Sequence, residues 1–220
     1  YAYVNDYEGD AVHGFEVAKS GELSAIAGSP WTTGGDHPIG LSAGNSVVIS
    51  ANQNLITPPN SLSSFRVGKG GVLTPAPNSP VTPSGESVDV DAKGRFAYSE
   101  NCGSPGIFGF AIDKKTAELI PLAGSPFATA TASDFCGGVA PTRKGAIALT
   151  RFKEFQVFSR GKDGALATPA APVVTGFRDS HALTKNEKII VAAEDSTGMV
   201  GTFAFDRKTG RARTPMQAEY

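Results

Sequence analysis

The stretch GRFAYSENCGSPGIFGFAIDKKTAELIPLAGSPF, residues Gly94–Phe127, decides the fold of this 220-residue chain. Large residues alternate with small or polar ones in Arg95–Ser99 and again in Ile107–Asp113, and Glu118–Leu122 follows a Lys-Lys-Thr-Ala turn. Such alternation, with turn residues between the segments, is typical of antiparallel strands. The stretch therefore predicts three consecutive short strands.

The rest of the chain repeats this pattern. The aligned phenylalanines are spaced 50, 45, 48 and 45 residues apart: Phe15, Phe65, Phe110, Phe158 and Phe203. A basic residue, usually with a glycine, occupies the turn after each of them, since a tight hairpin needs a residue that tolerates positive φ. A proline marks the end of the next strand in four copies: Pro30, Pro80, Pro126 and Pro172. One further strand precedes the pattern in four copies, at Ile39, Val88, Val139 and His181.

Four strands per repeat, with no helical periodicity, predict an all-β fold, a β-propeller of four-stranded antiparallel blades. About five blades are present in a single domain, 1–220, with repeats at approximately 1–35, 36–84, 85–134, 135–177 and 178–220. Two alternatives fit this count. The chain is either a fragment of a larger ring or a five-bladed ring.

Composition excludes several functions. With 20 basic and 21 acidic residues, the net charge of −1 gives no reason to expect a nucleic acid or an anionic membrane as a partner. No apolar run approaches the roughly 20 residues that span a bilayer. The two cysteines form no CxxC motif and no Cys/His pair with metal-ligand spacing, so neither zinc nor another cofactor is expected.

The motifs AYVND and AYSEN, FAIDKKTAEL and AGSPF together resemble the lactonase-type propellers. That family includes propeller-type 6-phosphogluconolactonases and surface proteins with Tyr-Val-Thr-Asn repeats. The resemblance implies a seven-bladed ring and metal-independent hydrolysis of a sugar lactone or a related small-acid lactone. The sequence does not give the compartment, but an enzyme of this kind is expected in the cytoplasm. The alternative is a non-catalytic propeller that presents one face to a protein partner.

The candidate site follows from strand order. In an antiparallel blade, the start of the innermost strand and the end of the second strand lie on the same face. Residues that depart from the repeat there are candidates for function. The predicted catalytic residues are His181, Arg151 and Glu100, with His37 as the second candidate base. The predicted substrate-binding residues are Arg178, Asp179 and Glu194.

These residue types suit lactone hydrolysis. Histidine or glutamate would act on water as a general base, and arginine would hold a substrate carboxylate or phosphate and stabilise the developing oxyanion. The alternative assigns the histidines to hydrogen-bonded turns and pairs Arg151 with Glu100 in a surface ion pair.

The two cysteines lie on the same face of adjacent predicted blades. Cys102 follows a second strand, and Cys136 precedes the next innermost strand. This placement allows a disulfide, which would indicate a periplasmic or extracellular protein. The alternative is a pair of small, semi-buried thiols.

Overall fold

A computed structural model of the chain describes residues 1–44, 46–56, 59–100, 106–128, 135–150, 154–167, 173–174, 180–194, 197–206 and 211–212. The regular structure in these residues consists of strands and one 3-10 turn at Lys69–Gly71. None of the described helical structure is long and apolar enough to cross a membrane.

The strands form five antiparallel sheets in chain order. Sheet 1 contains β1 (Ala2–Asp6), β2 (Ala11–Val17), β3 (Leu23–Ala25) and β4 (Trp31–Thr32). Sheet 2 contains β5 (Pro38–Ala43), β6 (Val47–Asn52), β7 (Ser61–Val67) and β8 (Leu73–Pro75). Sheet 3 contains β9 (Ser87–Val90), β10 (Phe96–Glu100), β11 (Gly106–Ile112), β12 (Leu119–Pro121) and β13 (Phe127–Ala128).

The last two sheets follow the same plan. Sheet 4 contains β14 (Phe135–Pro141), β15 (Gly145–Thr150), β16 (Glu154–Ser159) and β17 (Val173–Val174). Sheet 5 contains β18 (Ser180–Leu183), β19 (Ile189–Glu194), β20 (Met199–Asp206) and β21 (Arg211–Ala212). Each strand of a sheet pairs with the next strand of the chain, apart from β4 and β13, which pair with β2 and β11. The repeat predicts this antiparallel order.

The chain divides into two compact units. Unit 1 comprises Tyr1–Ala97 and Phe110–Ile120, and unit 2 comprises Tyr98–Gly109 and Pro121–Tyr220.

The fourth strand continues past the proline that was predicted to end it. β3 and β4 both pair with β2, and β12 and β13 both pair with β11. In sheet 2, Val81 bridges Leu62 beyond β8. The proline therefore interrupts the outer strand, which resumes its pairing with the same third strand.

A serine before the proline fills this interruption. Its hydroxyl accepts a hydrogen bond from the third strand, in the pairs Gly14–Ser29, Ser64–Ser79 and Gly109–Ser125, at 2.9, 3.0 and 2.9 Å. A backbone N–H that the interrupted strand leaves unpaired thereby gains an acceptor, because buried donors must be satisfied. The recurring Ser-Pro motif is thus explained by the ladder of its own sheet.

The turn after each third strand links neighbouring sheets. Gly71, Ala117 and Gly164 have φ values of +78°, +64° and +93°, in agreement with the predicted need for positive φ. Their carbonyl oxygens accept hydrogen bonds from the sheet before, in the pairs Tyr3–Gly71, Ser64–Ala117 and Tyr98–Gly164, at 2.7, 2.6 and 2.7 Å. These hydrogen bonds fix each of these sheets against the next one along the chain.

We expect Tyr98→Phe to lower the free energy of unfolding by about 1–2 kcal/mol, because it leaves the buried Gly164 carbonyl without this donor. Tyr3→Phe is the matched control, since the Tyr3 contact is only partly buried and water can replace it. Urea unfolding of both variants measures the difference. Equal losses in the two variants would contradict burial as the reason.

The repeated phenylalanines form the core between sheets. Phe65 is fully buried with Val12 of sheet 1 and with Val48 and Leu73 of its own sheet. In unit 2, a second cluster contains Phe155 of sheet 4 and four residues of sheet 5, namely Ile190, Ala192, Phe203 and Phe205. Phe15, in contrast, is only half-buried. Its recurrence alone predicted a core position.

Candidate functional site

His37 lies directly before β5, the first strand of sheet 2, which is where the sequence predicts a site residue. Its backbone has a φ of +51°, and its N–H donates a hydrogen bond to Asp10 Oδ1 at 2.8 Å. The imidazole Nδ1 lies 3.4 Å from Asp36 Oδ2, and the ring packs on Tyr7 with 4.7 Å between centroids. We call Tyr7, Asp10, Asp36, His37 and Asn54 the His37 cluster.

Three members of this cluster have an unusual backbone. Asp10, His37 and Asn54 have φ values of +50°, +51° and +49°. Residues other than glycine rarely adopt this conformation, and where they do the local strain often marks a functional site. The concentration of three such residues, one of them His37 itself, therefore identifies the cluster as the candidate site of unit 1.

Asp36 and Asn54 lock the two loops together. The Asn54 side-chain oxygen accepts a hydrogen bond from the Asp36 N–H at 2.9 Å, and the Asn54 N–H donates to the Asp36 carbonyl at 3.1 Å. Asp36 Oδ2 accepts a hydrogen bond from the Ile56 N–H at 2.7 Å. The carboxylate beside His37 is consequently held in a fixed position.

A buried polar layer supports this arrangement. The Asn52 amide donates to the hydroxyls of Ser61 and Ser63 at 2.9 and 2.8 Å, and the Ser63 hydroxyl donates to the Thr33 carbonyl at 2.6 Å. Gly35 lies against this layer, since a Cβ there would come within 2.6 Å of the Asn52 amide nitrogen. These contacts fix the loop that carries His37.

Asp36 is ionised at neutral pH. Burial is the largest influence and raises the pKa of Asp36, but the hydrogen bond from the Ile56 N–H and the contact with His37 outweigh it, so the pKa is lowered from 3.8. A carboxylate in this state can orient the imidazole by accepting a hydrogen bond from Nδ1–H. Within the described residues, no group of three or more His, Cys, Asp or Glu side chains could hold a metal ion.

His13 forms a second pair with a carboxylate. Its Nε2 lies 3.1 Å from Asp6 Oδ2, and both side chains are more than a third exposed. The hydrogen bond from the Gly9 N–H, followed by the contact with His13, lowers the pKa of Asp6. Because both side chains are well solvated, we regard this pair as a surface contact.

Asp89 is a carboxyl of a different kind. It lies on β9, and its Oδ1 accepts a hydrogen bond from the Ser42 hydroxyl at 2.7 Å. Burial raises the pKa of Asp89 above 3.8, despite the opposing hydrogen bonds from Ser42 and from the Val90 N–H. Ionisation of this group therefore opposes folding.

We expect Asp89→Asn to stabilise the protein at pH 7 and to lose this advantage near pH 3. Below the pKa of the unfolded state, the carboxyl is protonated in both states, and its raised pKa in the folded protein does not change the free energy of unfolding. As the pH rises above that value, the raised pKa lowers the free energy of unfolding progressively. Urea unfolding across this pH range measures the effect. Asp113→Asn is a control of opposite sign, because hydrogen bonds from the Thr116 and Lys115 N–H groups lower the pKa of Asp113. A gain for Asp89→Asn that is independent of pH would contradict the prediction.

In unit 2 the structure places two of the predicted residues. Glu100 ends β10, is buried, and accepts a hydrogen bond from the Gly138 N–H at 3.1 Å. His181 lies on β18 with its ring 5.6 Å from that of Phe155. Outside the described residues lie Arg151, Arg178, Asp179 and Cys102, together with the side chains of Glu194 and Cys136.

Sequence reasoning missed the partners of His37. Asp36 precedes it directly, so an adjacent Asp-His pair was visible, but nothing in the sequence showed that the two side chains face each other. Asp10 and Tyr7 lie 27 and 30 residues away, in the β1–β2 hairpin of the preceding sheet. Only the placement of that hairpin beside β5 brings them to the site.

Comparison with solved structures identifies the fold. A protein of Bacteroides uniformis provisionally named 6-phosphogluconolactonase matches with a TM-score of 0.71 and 14% identity, over 99% of this chain and 69% of that one. A periplasmic gluconolactonase of Pseudomonas aeruginosa matches with a TM-score of 0.55 and 17% identity, over 95% and 76%. A functionally unknown protein of Desulfotomaculum acetoxidans matches with a TM-score of 0.75 and 12% identity, over 96% and 64%.

The chain is therefore an all-β propeller of four-stranded antiparallel blades, about five in number, as the repeat predicts. Its structural neighbours include proteins named as lactonases. At these low identities the likeness shows the fold alone. No model of a known protein family matches the chain, and no curated protein matches its sequence.

Proposed function

We propose that this propeller hydrolyses lactones without a metal ion, with His37 as the general base and Asp36 as the carboxylate that orients it. The observation that carries the proposal is the 3.4 Å contact between His37 Nδ1 and Asp36 Oδ2, held among strained backbone positions at a strand entrance. The lactonase names of two structural neighbours support the choice of reaction. Catalytic contacts of this length commonly tighten when substrate binds.

The chemistry needs few groups. In the tautomer with the proton on Nδ1, His37 Nε2 accepts a proton from water while the water oxygen bonds to the lactone carbonyl carbon. The ring C–O bond then breaks, and the proton passes from Nε2 to the departing ring oxygen. The product is the open-chain hydroxy acid, and the histidine returns to its neutral state.

The predicted residues of unit 2 remain part of the proposal as a second candidate centre. His181 would be its base, Glu100 its buried carboxylate and Arg151 the catalytic cation that stabilises the oxyanion. Its substrate-binding residues would be Arg178, Asp179 and Glu194. We favour His37 because its carboxylate partner and the groups that fix that carboxylate are described. The 6-phosphogluconolactonase-like activity, on a sugar lactone, belongs to the same proposal.

The test is hydrolysis in a pH-stat, with glucono-δ-lactone and 6-phosphogluconolactone compared with their spontaneous rates. A rate above background that scales with protein concentration supports the proposal. Background rates from protein with a cooperative unfolding transition would reject it and favour the alternative, a non-catalytic propeller that binds a partner on one face.

A further inference from the structure

Negative charge surrounds the His37 cluster. Four acidic residues lie in the cluster or beside it in the chain: Asp6, Glu8, Asp10 and Asp36. The other two acidic residues of the first 65, Glu16 and Glu22, lie with the single basic residue, Lys19, at the β2–β3 hairpin. Asp10 and Asp36 both contact His37, and Asp6 lies next to Tyr7. Lowered pKa values keep Asp6 and Asp36 ionised at neutral pH. An anionic ligand would therefore meet repulsion at this site.

The basic residues of unit 1 lie at the other ends of the strands, in or beside the hairpins away from His37: Lys19, Arg66, Lys69, Lys93, Arg95, Lys114 and Lys115. Arg66, for example, is five residues along β7 from Ser61, which is about 16 Å of extended chain. A phosphate or carboxylate needs a nearby cation for tight recognition. These cations of unit 1 are too distant to supply one at His37.

Apolar side chains adjoin the His37 cluster, since Leu55 and Ile56 directly follow Asn54 in the chain. Tyr7 packs on the His37 ring, and the N–H of Ile56 binds Asp36. Leu55 and Ile56 are 60% and 75% exposed, although they are large and apolar. We call Tyr7, Leu55 and Ile56 the apolar rim. Exposed apolar side chains beside convergent polar groups are typical of a small-molecule site.

We infer that the ligand of the His37 cluster is a neutral lactone with an apolar substituent, such as an alkyl-substituted δ-lactone, rather than a phosphorylated sugar lactone. The inference rests on the proposed function for its reaction but not for its ligand chemistry. The lactone carbonyl lies at His37, and the alkyl group covers the rim. Each methylene that leaves water in this way raises kcat/KM by about 4-fold.

The experiment compares kcat/KM for δ-valerolactone, δ-decalactone and 6-phosphogluconolactone, with wild-type protein and two variants. Leu55→Ser removes part of the rim. Leu23→Ser is the matched control, because Leu23 is 54% exposed on β3 but has no place in the rim. In the wild-type protein, we expect kcat/KM for δ-decalactone to exceed that for each of the other two lactones by at least 10-fold. We expect Leu55→Ser to reduce this preference and Leu23→Ser to leave it unchanged.

Calorimetric binding of 3-pentylcyclohexanone, an unreactive analogue of δ-decalactone with CH₂ in place of the ring oxygen, separates the ligand from the reaction. Binding that Leu55→Ser weakens, without hydrolysis of any lactone, would reject the proposed function and support the ligand class. A preference for 6-phosphogluconolactone would overturn the inference and leave the function standing. Equal effects of the two leucine variants would also overturn the inference. If the protein neither hydrolyses a lactone nor binds the analogue, both the proposed function and the inferred ligand class are rejected.

Discussion

We expect His37→Asn to lower kcat for lactone hydrolysis by about 10²- to 10⁴-fold, the range that a general base contributes. Asparagine is the appropriate replacement, because it tolerates the left-handed backbone of residue 37 and its amide can still donate to Asp36. The substitution therefore removes the proton-accepting Nε2 and leaves the loop in place. KM should change little, since substrate contacts with the apolar rim persist. Initial rates in a pH-stat measure both constants.

Asp36→Asn tests the role of the carboxylate separately. Asp36 Oδ2 accepts from the Ile56 N–H and is also the oxygen that faces His37 Nδ1, so the asparagine amide oxygen takes both places. The substitution therefore removes the negative charge that stabilises the imidazolium formed when Nε2 accepts a proton from water. We expect a loss of roughly 10²-fold in kcat with nearly unchanged KM.

Two further histidines complete this test. His13→Asn breaks another Asp–His contact in sheet 1 and should leave kcat within about 3-fold of wild type, because that pair is solvated. His181→Asn tests the centre predicted in unit 2. Loss of activity in His181→Asn, with full activity in His37→Asn, would move the base to His181 and contradict our assignment. Thermal unfolding of each variant shows whether the fold is retained.

The sequence alone predicts the fold because a repeat states the same information five times. One phenylalanine per copy, one turn and one Ser-Pro motif are enough to locate the sheets. The repeat pattern did not predict how the outer strand pairs with its neighbour. The proline was predicted to end the outer strand, whereas it only interrupts that strand, and the role of Ser125 depends on Gly109, a residue on the neighbouring strand. A pattern along the chain does not show such a pairing.

The site was less predictable than the fold. His37 was placed correctly at a strand entrance, since strand order fixes which residues lie there. Its relations with Asp10 and Tyr7 depend on the position of another sheet, and its positive φ has no sequence signature in a histidine. Tyr98 illustrates the same limit, because its recurrence predicted packing while its hydroxyl binds a carbonyl 66 residues away.

The second large effect concerns stability, where two copies of the repeat phenylalanine provide a matched pair. We expect Phe65→Ala to lower the free energy of unfolding by about 3–5 kcal/mol, because the ring is fully buried between sheets 1 and 2 and its removal leaves a cavity. Phe15→Ala should cost about 1 kcal/mol, because Phe15 is half-buried and water can fill the space.

Trp31, the single tryptophan, packs against the Phe65 cluster and reports on its loss directly. Urea unfolding followed by tryptophan fluorescence should therefore show a lower midpoint for Phe65→Ala than for Phe15→Ala. Circular dichroism of the strands tests whether the whole chain responds, since sheets that contact only their neighbours can unfold in parts. If the two variants lose equal stability, the repeat phenylalanine acts within its own sheet, and packing between sheets is not what makes it recur.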